Sequence, residues 1–329
     1  MLSLIIPVYN RPQEVEDLLR SLTRQTNKDF EVIIIEDGST ITCLDQVNKY
    51  QHDMTIQYKV IPNSGPSKAR NTGAKLANGD YLIVLDSDVI LPKQYIEEVY
   101  KGIDTTHSDA FGGPDAASND FTPIQKAINY SMTGFFTTGG IRGGKKKLDK
   151  FYPRSFNLGC KRDVFDKLNG FSEDMRFGED IDFSLRLFEM GCKVSLFPNA
   201  YVFHKRRVDF KKFFKQVHNS GIARVNLELR HPGSTKLVHL LPSVFTIGLI
   251  AILILSIFFP ILLIFPAIYM LLLLVDSTVK NKSLIIGMLS IPAAFIQLTG
   301  YGTGYIEAWW KRHILKRPEY SRFNKTFYK

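Results

Sequence analysis

Apolar and polar positions alternate along the first hundred residues in blocks rather than singly. Residues 2–6, 31–36, 56–61 and 81–86 are short runs of β-branched and apolar side chains, each separated from the next by a polar stretch with helical character. The order predicted is βαβα. Residues 12–25 place Val15, Leu18, Leu19 and Leu22 at i, i+3, i+4 and i+7 behind Pro12, whose missing N–H costs nothing at a helix start. This predicts an amphipathic helix laid on a sheet. Continuous apolar runs mark strands buried on both faces, so the expected class is α/β, with parallel strands and helices on either side. Ligands of such sheets bind beyond the carboxyl ends of the strands. Two of these ends carry acids, Glu36 with Asp37 and Asp86 with Asp88.

Residues 110–149 are rich in Gly, Ser, Thr and Asn, most of all in "TTGGIRGGKKK", and are read as a mobile connection over the site. "RDVFDKLNGF" and "EDIDFSLRLFEMG" have helical spacing with Gly stops, and "KVSLFPNAYVFH" returns as a strand. The expected division is a domain over residues 1–235, a membrane region over 236–310 and a basic tail over 311–329. Residues 240–275 hold no charged side chain. One helix of that length would run to about 54 Å, well beyond a hydrocarbon core of about 30 Å. The chain must therefore turn back, and Pro260 marks the turn. The candidate segments are about 238–259, 261–278 and 283–306. The first two are taken as a spanning hairpin. The third, with Pro292 and "TGYGTGY", is taken as re-entrant or interfacial, with Trp309 and Trp310 at headgroup level.

Composition changes this picture in two ways. The formal net charge of +10 admits nucleic acid, anionic lipid or phosphate-bearing ligands, but the excess gathers in residues 145–147, 205–215 and 311–329, the last two on either side of the apolar region. That placement points to a membrane surface and away from nucleic acid. The positive-inside rule then puts both flanks on the cytoplasmic side of a multi-pass protein, with an even number of crossings. The opening "MLSLIIPVYN" has no basic leader and no cleavage site, so the N-terminal domain is expected to face the cytoplasm at the inner membrane. Cys43, Cys160 and Cys192 form an odd, widely spaced set, which fits a reducing compartment.

The stretches "IIPVYN", "EDGS", "GPSKARNTGA", "GDYLIVLDSD" and "GEDIDFSLRL" come in the order and spacing of the family 2 glycosyltransferases, which the chain resembles over roughly residues 1–225. The resemblance implies a GT-A fold (a Rossmann-like mixed sheet flanked by helices), a nucleotide-sugar donor, a divalent metal and inversion at the anomeric carbon. It further implies that Pro7 and Tyr9 wall the nucleotide pocket, that Asp37 contacts base or ribose, and that Asp86 faces nucleotide and sugar. Asp88 is then the direct ligand of Mn²⁺ or Mg²⁺, joined by His204 at the end of "AYVFH". Asp180 is the implied base, and Glu179 positions it or the acceptor.

The chemistry agrees with those roles. A departing nucleoside diphosphate develops negative charge, which a hard cation on carboxylates neutralises. Lys68 and Arg70 fall at a helix start, where side chains and free N–H groups both reach phosphate. A sugar hydroxyl needs a carboxylate to take its proton as it attacks. Asp37 would otherwise serve as a helix N-cap, and Asp182 faces away from Asp180 as a structural acid. Residues 205–215 mix cations with Phe210, Phe213 and Phe214, suiting anionic lipid or a diphosphate-linked acceptor. Processive members of the family carry Gln-x-x-Arg-Trp near here, and "QVHNSGIAR" has no Trp. The expected reaction is transfer from a UDP-, GDP- or dTDP-sugar to a glycan or polyprenyl-linked acceptor. The rivals are a nucleotide-sugar-binding membrane scaffold without turnover and a nucleotidyltransferase, though "IIPVYNRP" lacks the Gly-rich Lys signature of the latter.

Overall fold

Strand β1 (Leu2–Val8) pairs in parallel with β2 (Phe30–Asp37) on one side and β4 (Tyr81–Leu85) on the other, and β3 (Ile56–Ile61) extends the sheet beyond β2. Helices α1 (Pro12–Leu22), α2 (Leu44–Tyr50) and α3 (Pro66–Leu76) connect them in turn. The computed structural model describes residues 1–116, 121–138, 151–175, 177–204 and 209–319, with His204 described by its backbone alone.

The predicted βαβα order is present, and its strands are buried on both faces for the reason expected. Leu2, Leu4, Ile6 and Val8 share one core with Val15, Leu18, Leu19 and Leu22 of α1 and with Tyr95, Ile96 and Val99 of α4 (Tyr95–Thr106). Ile5, Ile33 and Ile35 enter a second core with Ala69 and Ala74 of α3. That core also holds Phe165 of α7 (Arg162–Lys167) and Phe183 of α8 (Glu179–Glu189). A Cβ at Gly73 would lie 2.5 Å from Ile5 Cγ2, so its absence lets α3 rest directly on β1.

The sheet continues with β8 (Asn157–Lys161) antiparallel to β4, β6 (Ala110–Gly112) antiparallel to β8, and β9 (Val194–Leu196) parallel to β6. The order is β3-β2-β1-β4-β8-β6-β9. It reverses at β1, since the first two crossovers run one way and β4 lies on the other side. Between the carboxyl ends of β1 and β4 such a reversal opens a crevice. A small second sheet stands in the order β5 (Val89–Ile90), β10 (Val202–His204), β7 (Asp115–Ala116).

Two sequence expectations change. Residues 193–204 do not form one strand, because Pro198 interrupts the run and the two halves join different sheets as β9 and β10. Residues 110–149 are not all loose connection. Besides β6 and β7 they contain α5 (Pro123–Thr133) and α6 (Phe135–Thr138). A capping box starts α5, in which Thr122 Oγ1 accepts from the Gln125 N–H at 3.3 Å and Gln125 Oε1 from the Thr122 N–H at 3.0 Å. Residues 139–150, with most of "TTGGIRGGKKK" and Lys145–Lys147, lie outside the described residues.

The described residues divide into two compact units, one from 1–116 and 151–204, the other from 121–138 and 209–319. Thus α5 and α9 (Phe210–Arg230) belong with the apolar helices, whereas the sequence reading put both in a domain of residues 1–235. The apolar helices are α10 (Leu237–Leu255), α11 (Ile264–Asn281), which follows a 3₁₀ turn at Pro260–Leu263, and α12 (Leu284–Trp309). Among the described residues three helical stretches, Leu237–Leu255, Pro260–Asn281 and Leu284–Ile314, are long and apolar enough to cross a membrane. The expected turn at Pro260 is present as that 3₁₀ turn, and the two helices it joins each pack on α12. The expected irregular third segment is one helix running through Pro292. Leu241, Val244, Ile247, Ile250, Leu253 and other large apolar side chains are exposed, an outer surface suited to lipid rather than water.

Replacing Gly73 by Ala is expected to cost about 1–3 kcal/mol through overpacking against Ile5. The measurement is the melting temperature in detergent, and an unchanged value would mean that α3 does not bear on β1 at this point.

Candidate active site

The crevice at the ends of β1 and β4 gathers acids, and each is matched by a cation or by N–H donors. Asp86 and Asp88 follow β4 directly, and Glu179 and Asp180 open α8 behind the left-handed Gly178. Arg70, on the first turns of α3, joins the two groups, with Nη1 donating to Glu179 Oε1 at 2.8 Å and Nη2 to Asp86 Oδ1 at 3.4 Å. Its guanidinium also lies 5.3 Å from the centre of the Phe171 ring. Arg70 is 4% exposed and nearly enclosed by these partners.

The two adjacent acids of α8 are driven apart electrostatically. Asp180 Oδ2 accepts from Arg154 Nε at 2.6 Å. Burial raises the pKa of Asp180, but Arg154 and then Arg70 outweigh it and hold the group below the usual carboxylate range. Glu179 goes the other way, because burial, with Asp180 beside it, outweighs Arg70. Asp182 turns away and pairs with Arg186 and Ser172, as expected of a structural acid.

Asp37 is buried, and its two oxygens accept from the backbone N–H groups of Ser64 at 2.7 Å and Gly65 at 2.9 Å. It caps no helix, and what it fixes is the turn before α3. Burial raises its pKa more than those donors lower it. Next to it Glu36 accepts from Cys43 N and Sγ and from Tyr58 OH. Pro7 and Tyr9 are half-buried at the carboxyl end of β1. Lys68 pairs with Glu173 at 2.9 Å on a solvated face.

A divalent cation would find carboxylate oxygens at Asp86 and Asp88, the hard donors that Mn²⁺ and Mg²⁺ prefer. His204 pairs through its backbone with Val89, the residue after Asp88, while its side chain lies outside the described residues. Among the described residues no group of three His, Cys, Asp or Glu side chains is assembled as a metal site. The donor set fits a cation that completes its shell with phosphate oxygens and water.

Two residues at this site escaped the sequence reading. Arg11 donates from Nη1 to Asp88 Oδ2 at 2.5 Å, and Arg154 holds Asp180. Arg11 stands next to the singled-out "IIPVYN", so the motif edge carried a signal for it. Arg154 lies in "FYPRSF", where nothing local marks it.

The profile described as glycosyl transferase family 2 matches residues 3–169. The chain belongs to that family. Among its relatives is an uncharacterized glycosyltransferase of Haemophilus influenzae, 31% identical over 195 residues, covering 57% of this chain and 62% of that protein. Another is the uncharacterized glycosyltransferase EpsJ of Bacillus subtilis, 28% identical over 211 residues, covering 62% and 61%. The chain thus spans less than two thirds of the length of these curated relatives. The mannosyltransferase PcManGT of Pyrobaculum calidifontis, solved with GDP-Man and Mn²⁺, matches 95% of this chain and 88% of its own, with a TM-score of 0.65 at 15% identity. TarS residues 1–349 of S. aureus, solved with UDP, covers 68% of this chain and 65% of its own, with a TM-score of 0.50 at 24% identity. Together these give the family 2 glycosyltransferase its GT-A fold.

Removing Arg70 leaves buried acids uncompensated, so Arg70→Met is expected to cost about 3–5 kcal/mol. Thermal unfolding should show that loss, with part of it recovered in Arg70→Met/Glu179→Gln. A single variant as stable as the wild type would mean that the guanidinium does not hold the acids.

Proposed function

We propose that this chain is an inverting glycosyltransferase that moves a sugar from a UDP-, GDP- or dTDP-sugar to a hydroxyl of a glycan or polyprenyl-linked acceptor in cell-envelope polysaccharide synthesis. The observation that carries the reading is the junction at Arg70, which sets the acids after β4 beside the acids of α8 at the point where strand order reverses. A donor held at Asp86 and Asp88 would then stand next to a carboxylate kept ionised. Family membership supports the reaction class, and so does the relative TarS, named poly(ribitol-phosphate) beta-N-acetylglucosaminyltransferase and 33% identical over 111 residues. That PcManGT was solved with GDP-Man and Mn²⁺ is in keeping with a nucleotide-sugar donor and a metal.

In this reading Asp88 and His204 hold Mn²⁺ or Mg²⁺, which when bound supplies positive charge to the leaving diphosphate. Pro7, Tyr9, Asp37 and Asp86 shape the donor pocket, with Lys68 at its rim. Asp180 takes the proton of the acceptor hydroxyl, and Glu179 with Arg70 fixes its position. The enzyme is multi-pass at the inner membrane, and its catalytic unit faces the cytoplasm, on the side of its basic flanks.

The deciding experiment titrates detergent-solubilised protein with UDP-, GDP- and dTDP-sugars, with and without Mn²⁺, reading binding and slow donor hydrolysis. One donor should bind only with metal and lose binding in Asp88→Ala. Binding of no donor under any condition would leave a membrane scaffold as the better account.

The ion pair at Asp180 sets a pH dependence. Because Arg154 and Arg70 depress the pKa of Asp180, the acidic limb of kcat/KM for donor hydrolysis should fall below the usual carboxylate range. Arg154→Gln removes the larger source of that depression, leaves burial dominant and moves the limb to higher pH. A limb that stays in place or moves down would exclude Asp180 as the titrating base.

A further inference from the structure

Three guanidiniums, of Arg11, Arg70 and Arg154, meet the acids of the crevice, and the first two differ in freedom. Arg70 is 4% exposed and held between two acids, so it cannot leave without opening the core. Arg11 has a side chain 36% exposed, paired at 2.5 Å with Asp88, which is 13% exposed. It precedes Pro12 at the start of α1, where its own side chain caps nothing.

The backbone under Arg11 is pinned independently of its side chain. Asn10 sits in the left-handed region at φ 53. Its Oδ1 accepts from the N–H of Thr40 at 2.8 Å and of Ile41 at 2.9 Å, and its own N–H donates to Ser39 Oγ at 2.8 Å. The guanidinium can therefore swing by side-chain rotation alone, from a fixed root at the carboxyl end of β1.

Asp88 is the carboxylate through which a divalent cation would be held. A guanidinium and a divalent cation on the same carboxylate oxygen repel each other, so they compete for it. A nucleoside diphosphate, in contrast, presents oxygens that a guanidinium grips in bidentate fashion. We propose that Arg11 is an exchangeable counter-ion, held by Asp88 while the crevice is without donor and transferred to the donor diphosphate when a divalent cation takes Asp88. The inference rests on the donor and metal reading given above.

Two consequences follow. The arginine keeps Asp88 neutralised in the free enzyme, so the cation alone binds weakly. Its arrival releases Arg11 for the diphosphate, so cation and donor strengthen each other's binding through the protein as well as through direct contact. A guanidinium stays charged in either position.

The test uses full-length protein in detergent, with Mn²⁺ binding followed by electron paramagnetic resonance. UDP, GDP and dTDP are titrated calorimetrically at saturating Mn²⁺. For Arg11→Gln, Mn²⁺ alone should bind about tenfold tighter, and the diphosphate that the wild type accepts should bind about tenfold weaker or worse, the size of one charge-assisted hydrogen bond. Mn²⁺ affinity that is unchanged or weaker, or diphosphate affinity that is unchanged, overturns the exchange. Should the Gln variant not fold, Arg11→Lys carries the test. A lysine keeps the charge but loses the fork, so diphosphate binding should drop several-fold, and a Lys variant equal to the wild type in that titration overturns the exchange. If the wild type binds none of the three diphosphates with Mn²⁺, the transferase reading itself fails; if it binds one and the variants do not differ, only the role of Arg11 fails.

Discussion

Taking a carboxylate out of water costs several kcal/mol unless a cation or a set of N–H donors goes with it. The crevice of this protein gathers Asp37, Asp86, Asp88, Glu179 and Asp180, and its construction follows from meeting that cost at each one. Asp37 is met by backbone N–H groups, Asp88 by Arg11, Asp180 by Arg154, and Glu179 together with Asp86 by Arg70. Arg70 matters most to the whole, because it alone of these ties the end of a strand to the start of a helix more than ninety residues later in the chain.

The same matching gives neighbouring acids different chemistry. Asp180 meets Arg154 at 2.6 Å and is kept ionised, while Glu179, more dependent on a shared arginine, is pushed toward its neutral form. Two adjacent carboxylates are thereby given different electrostatic states by their surroundings. A site made only of acids would repel the diphosphate of a nucleotide sugar. Interleaved arginines offset the charge of the acids themselves.

The helical unit obeys a different solvent logic. Its α12 is packed by α5, α9, α10 and α11 and acts as their common support. A Cβ at Gly304 would lie 2.1 Å from the carbonyl oxygen of His218, so α9 and α12 approach backbone to backbone there. Two pairs of polar groups meet inside the unit, Ser277 with Ser290 at 2.6 Å and His218 with Glu307 at 3.3 Å. The apolar residues point outward instead, the arrangement that lipid stabilises and water does not.

The sequence by itself determined the parallel βαβα half, because runs such as "LSLIIPV" and "FEVIIIED" can satisfy both faces only between layers of helices. It also determined the acids at the strand ends and at the start of α8, since motif spacing is a local property. It missed α5, whose capping box at Thr122 and Gln125 lay within a Gly- and Ser-rich stretch, and it ran β9 and β10 together across Pro198. What only the tertiary structure decided was the pairing. Which arginine serves which acid depends on segments separated by 77, 109 and 26 residues, for Arg11 with Asp88, Arg70 with Glu179 and Arg154 with Asp180. Nothing local in the sequence encodes such a distance, because it is set by the order in which strands cross the sheet.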